Sequence, residues 1–248
     1  HFWTGSRDTL VERNVIIEEI NTVLDTPDDL VFDLSAEALW PAHPYGYTIL
    51  GTRESVRAMS AADVRARHGA SYVPANCVIA AAGNLAHDAL LELLAREGWF
   101  DTVPPGAPPA LDAVPPAVRG AEVRHARDSA QVHLVFATDT VPFADPRRYA
   151  VMVLSNVLGG GMSSRLFQKV REELGLAYSV YSFTSFLQGT GLTGVYVGTR
   201  PGTAPRAVDV IRAELGRLAR EGLRGADLAE AKEQTPGQLI LGLASPTA

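Results

Sequence analysis

Between Val103 and Pro116 the chain carries Pro104, Pro105, Pro108, Pro109, Pro115 and Pro116 among small residues. Each proline removes a backbone donor and fixes φ near −65°, so neither a helix interior nor an inner strand runs through such a stretch. The segment reads as a semi-rigid linker. A surface loop inside a single domain is the alternative. As a linker it divides the 248 residues into an earlier part, 1–102, a connection, 103–118, and a later part, 119–248. At roughly 100 to 200 residues per domain, two modest domains fit that length.

Several classes fall away on composition. No apolar run reaches the roughly 20 residues that a membrane-spanning helix needs. Cys77 is the one cysteine, so no internal disulfide can staple the fold, and the compartment stays open. A formal charge of −6 argues against a general nucleic-acid binder, which concentrates Lys and Arg on one face. The densest basic stretch, Arg119 to Arg127, is interrupted by Glu122. His1 to Ser6 has neither an initiator Met nor the charged and apolar regions of a signal peptide. Together with a far end that stops just after a helical pattern, this gives the expectation of a piece of a longer protein.

Periodicity places the elements. Leu10, Val15, Ile16, Ile20 and Val23 follow a helical stripe that stops near Pro27, and Leu30 to Leu39 reads as a second helix. His43 to Gly46 is loop, Ser60 caps a helix leading to Tyr72, and Cys77 to Ala82 reads as a short buried strand closed by Gly83. A helix over Asp88 to Glu97 follows. Beyond the linker come strands at Glu122 to Ala126 and Gln131 to Phe136, and a helix from Pro146 to Leu158. Gly159, Gly160 and Gly161 turn the chain into another helix, Ser163 to Leu174, which Gly175 ends. Strands at Tyr178 to Phe186 and Leu192 to Val197 precede a helix from Ala204 with an apolar stripe, and a last helix begins near Asp227. Strands in meander-like pairs with helices between them predict two α+β domains rather than a doubly wound sheet. One faint internal echo sets Leu10-Val11-Glu12 against Leu228-Ala229-Glu230.

Few residues offer chemistry on their own. Glycines 159–161 before a helix start could cradle an anion, but they lack both the G-K-[ST] ending of a Walker loop and the G-x-G-x-x-G of a dinucleotide site, and a turn is the better reading. The six histidines form neither H-E-x-x-H nor H-x-x-E-H, and no G-x-S-x-G is present. Two constellations remain. Glu12 and Glu19 are seven residues apart on the first helix, close to two turns, so both carboxylates point the same way; one can ligate zinc while the other orients a neighbour. Arg171, late in its helix, and Tyr178, at the next strand, bracket a helix-to-strand reversal. A guanidinium and a phenol there are two donors for a carbonyl or a developing oxyanion. Taken alone, surface charge is the better reading of the first constellation, and structural pairing with Glu172 or Glu173 the better reading of the second.

The same residues carry a resemblance. Glu12 to Ile20 followed by Asp25-Thr26-Pro27 is similar to the helix that follows the H-x-x-E-H zinc motif in the pitrilysin and mitochondrial processing peptidase family. His43-Pro44-Tyr45-Gly46 with Ile49 to Thr52, and Tyr72 to Val78 with Gly83-Asn84-Leu85, resemble the family's next landmarks. The run Leu158 to Phe167, with Val170-Arg171-Glu172 and Gly175 to Val180, resembles the second domain of short bacterial members. These landmarks run in order over almost the whole chain.

The resemblance implies two related α+β domains, each incomplete here, with a mixed or antiparallel sheet and helices packed on one face. It implies that Glu19 is the third zinc ligand and Glu12 a support behind it, and that Arg171 and Tyr178 hold substrate across the catalytic chamber. The implied cofactor is one zinc ion, and the implied reaction is peptide hydrolysis by zinc-activated water. Peptides or partly unfolded polypeptides are the implied substrates, and a second copy or a related subunit is the implied partner. In the faint second copy Gly237 stands where Glu19 would be, in keeping with a second domain that carries no metal. The departure is the missing H-x-x-E-H: His1-Phe2 begins like it, but Trp3-Thr4-Gly5 does not continue it. With Glu19 alone, tight zinc binding is not expected. The resemblance also admits a non-catalytic subunit that kept the fold.

Overall fold

The computed structural model describes residues 6–99, 115, 117–118, 120–223, 225 and 227–233. The proline-rich connection therefore lies almost wholly outside the described residues, as does Gly237. The chain forms two compact units that are not contiguous in sequence: His1–Asn21 with Leu50–Asp112, and Thr22–Ile49 with Ala113–Ala248.

The first unit is built on α1, Ser6–Asp25, whose Ile20 is buried. The Arg53 guanidinium donates to Asn21 Oδ1 at 2.9 Å and the Arg13 guanidinium to the Met59 carbonyl at 2.5 Å, which ties α1 to the next segments. Those are α3, Arg53–Ala58, and α4, Ala61–Ser71. Both start with a capping box, Thr52 with Ser55 and Ser60 with Asp63, so two otherwise orphan amides are satisfied at each start. The α5 helix, His87–Arg96, completes the unit.

Two expected strands do not form. Residues 77–82 and 122–126 run as irregular backbone, with Val78 93% and Val123 56% exposed. A strand is stable only when its amides and carbonyls pair with a neighbour, and neither segment has a strand beside it among the described residues. For 77–82, apolar content alone made the segment look like a strand.

The second unit is an antiparallel sheet of β1 (Val132–Thr140), β2 (Ala177–Phe186) and β3 (Gly191–Thr199) in the order β1-β3-β2. Side chains alternate along β3, and the two faces have different covers. Val195 and Val197 join a cluster with Leu158, Leu166, Val170, Leu176 and Val180, closed by Ala207, Ile211 and Leu218. The last three lie on α8, Ala204–Glu221, and Leu158 lies on α6, Arg148–Gly159. On the opposite face Tyr196 stacks against Tyr181 and Phe32, and Phe183 meets Phe32 edge-on. Phe32 belongs to α2, Pro27–Leu39. The fold class is α+β with an antiparallel sheet, as expected, but helices cover both faces rather than one.

Candidate functional site

The acidic pair lies in the first unit. Glu12 and Glu19 occupy α1 two turns apart, one position before Arg13 and Ile20, which are turned toward α3 and the short core. A step of about 100° separates the two rows, so the carboxylates sit at the border of the buried face, Glu12 half-buried and Glu19 exposed. A catalytic zinc takes three protein ligands and keeps one open position. Among the described residues no three His, Cys, Asp or Glu side chains gather to hold a metal. Glu12 and Glu19 thus share a helix edge as the spacing predicts, and by themselves they do not make a zinc site.

The donor pair lies in the second unit, on the segment 159–178. Gly159 is set by packing: a Cβ there would lie 2.3 Å from the Ser182 amide nitrogen, because α6 runs directly against β2. The contact is fastened by the Ser155 hydroxyl donating to Ser182 Oγ at 2.9 Å. A Cβ on Gly160 would strike Asn156, 2.1 Å from Oδ1, whereas Gly161 faces open space. Close approach rather than an anion cradle accounts for two of the three glycines.

After the turn the backbone is helical over 165–173. From Phe167 to Glu173, here α7, it takes the wide i→i+5 form, a rare geometry over seven residues. Leu166 and Val170 are fully buried and anchor one side. Gly175 closes the helix with φ +59°, a left-handed conformation that favours glycine, and its N–H donates to the Arg171 carbonyl at 3.1 Å. The Leu176 N–H reaches the Val170 carbonyl at 2.9 Å. Arg171 and Tyr178 thus stand at either end of one tight reversal, both exposed. The Arg171 guanidinium lies 4.8 Å over the Phe167 ring and 3.8 Å from the Glu172 carboxylate, so aromatic stacking and a loose ion pair hold it while leaving it open to solvent.

Two polar pairs in this unit carry no local sequence signal. Tyr196, 5% exposed, shares a 2.8 Å hydrogen bond with His133 Nδ1 across β1 and β3. Burial, with Asp28, Tyr181 and Asp29 nearby, pushes its phenol up to about 12. Arg165 meets Asp227, 62 residues later, at 2.5 Å. Pairs made across the fold leave no periodicity to read, and only the hydrogen-bonded register of β1 with β3, which sets His133 opposite Gly198, brings the first about.

A sequence model described as "Peptidase M16 inactive domain" matches residues 58–235. A protein of Streptomyces coelicolor described as an uncharacterized zinc protease is 38% identical over 97% of this chain and 54% of its own length. The chain thus spans about half the length of the curated relatives it matches. Among solved structures, a protease from Helicobacter pylori superposes with a TM-score of 0.88 at 23% identity, covering 98% of this chain and 60% of that one. A chain of complex III2 from Candida albicans superposes with a TM-score of 0.83 at 22% identity, covering 94% and 57%. At those identities the likeness is one of fold.

Proposed function

The chain belongs to the M16 peptidase family, and from that premise we propose that it is part of a longer zinc-dependent endopeptidase acting on peptides or partly unfolded polypeptides. The observation that supports this most is that both constellations, Glu12 with Glu19 and Arg171 with Tyr178, are present in a chain so similar to a zinc protease over nearly its whole length. In this reading Glu19 contributes one carboxylate to a metal site completed by residues of the longer protein, and Glu12 orients it from the preceding turns. Arg171 and Tyr178 donate hydrogen bonds to the peptide, a carbonyl or a developing oxyanion, from an exposed reversal where an extended chain can reach both. In this reading the chain alone is inactive, since no three metal-ligating side chains gather among its described residues.

The test uses the full-length protein. Glu19→Gln is expected to lower bound zinc and cut peptide cleavage at least about 10-fold, on the scale seen when metal-site groups are altered. Tyr178→Phe, which removes one donor hydroxyl, is expected to cut it by about 10- to 100-fold, somewhat below the loss of a full oxyanion donor. Chelator should abolish wild-type activity. Wild-type rates in both variants overturn the assignment. A second reading, a non-catalytic subunit, draws support from the "inactive domain" description of residues 58–235 and from the fold neighbour in complex III2. Full-length protein that shows no chelator-sensitive cleavage, yet co-purifies with a related subunit, decides for it.

A further inference from the structure

The helix that carries Arg171 is unusually placed at its start. Ser164, directly ahead of it, is 4% exposed and its Oγ has no hydrogen-bond partner, so its hydroxyl does not cap the helix. The first main-chain bond runs from the Gln168 N–H to the Ser164 carbonyl at 3.0 Å. Two fully buried side chains, Leu166 and Val170, fix one side. In a wide i→i+5 helix two apolar anchors leave the rotation about its axis weakly determined, since apolar contact is not directional. Two directional side-chain contacts hold this end: Gln168 Nε2 donates to the Met162 carbonyl at 2.7 Å, an exposed bond within the turn itself, and Arg165 meets Asp227, 62 residues on, with a guanidinium nitrogen and a carboxylate oxygen 2.5 Å apart. Among the ion pairs of the described residues it alone has both side chains at or below one-third exposure, 16% and 33%. Partial burial strengthens such a pair and protects it from salt.

We infer that the Arg165–Asp227 pair positions Arg171 for peptide binding, locking the helix rotation that aims its guanidinium. The inference rests on the proposed role of Arg171. Asp227 is a positioning residue, with no contact to the peptide required. Because the Arg171 carbonyl is bonded to Gly175, the whole helix and its reversal move as one piece, and loosening its start displaces the guanidinium.

A double-mutant cycle in the full-length protein tests this by peptide-cleavage kinetics and by affinity for a non-cleavable peptide. Asp227→Asn is expected to raise KM and weaken peptide affinity about 10-fold, with kcat changed less than about 2-fold, the signature of lost binding common to ground and transition states. In an Arg171→Ala background the same substitution should change neither, since coupled residues are non-additive. Arg165→Lys, which keeps the charge, should recover part of the affinity, and it carries the test if Asp227→Asn fails to fold. An unchanged KM in Asp227→Asn, or an equal rise with and without Arg171, overturns the inference while leaving Arg171 itself in place. An Arg171→Ala protein with wild-type kinetics overturns both this inference and the substrate role it rests on.

Discussion

Tyr196 shows how one side chain ties sheet, helix and strand together. Its ring is stacked between Phe32 of α2 and Tyr181 of β2, with ring centroids 5.6 and 4.9 Å away, and its hydroxyl is bonded to His133. Burial comes first among the causes that push its phenol up to about 12 from the ordinary 10.0, ahead of the nearby Asp28. Below about pH 10 the phenol is neutral in folded and unfolded chains alike, so it adds no pH dependence. Above that, the unfolded chain gives up the proton while the folded chain keeps it until about pH 12, so stability falls as pH rises through that window. Denaturant titrations at pH 9 and 11 should show a drop in the wild type that is clearly smaller in Tyr196→Phe; an equal drop in the two proteins refutes this account. Nothing in the local sequence announced this residue, because its partners lie on α2, β1 and β2.

At the level of elements, α6 runs tightly against β2, and this approach depends on Gly159. Alanine there would press a methyl group to 2.3 Å from the Ser182 nitrogen. The backbone must then separate, at a cost of about 1–3 kcal/mol on the scale of overpacked cores. Gly161→Ala, which meets nothing within 4 Å, serves as the control and should be close to neutral in equilibrium unfolding. A destabilisation shared equally by the two variants would show that turn conformation, not approach, sets the requirement. The glycine run was legible in the sequence as a turn, and its neighbours Ser163 to Leu174 as a helix. Its reason was not legible, because it lies in Ser182, more than twenty residues away. The Ser60 cap, the helix stripes and the alternation in β1 are written locally, and the elements they define formed close to where expected, whereas α3, opened by the Thr52 capping box, was not anticipated. Residues 77–82 have apolar character, yet neither they nor 122–126 have a strand to pair with among the described residues, and no property of their own residues could reveal that. Glu12 and Glu19 were placed correctly on one helix edge because helical spacing is local; Arg165 and Asp227 were missed because their meeting is not.

Across the molecule, apolar burial is uneven. Among the described residues, the second unit has ten buried residues in one cluster, whereas the first buries Ile20, Val56 and Val73 and leaves Leu85, Leu91, Leu93 and Val78 more than 40% exposed. Local opening costs least where few apolar contacts are broken. Hydrogen exchange should therefore proceed in order: amides of α4 and α5 exchange early, and those of β3, paired on both sides, exchange last. Equal protection across the two units would contradict this picture. The apolar surface of the first unit also fits the proposal that the chain works as part of something longer.

The placement of α2 carries a further consequence. The sheet of the second unit takes its cover over Tyr196 from a helix that precedes the proline-rich segment by more than sixty residues. A gene cut at that segment would separate the sheet from its own lid, exposing Phe183, Tyr181 and Tyr196 together. The natural punctuation of the sequence is thus a poor seam for recombination. Inherited or grafted as a working module, this unit has to bring residues from both sides of its prolines.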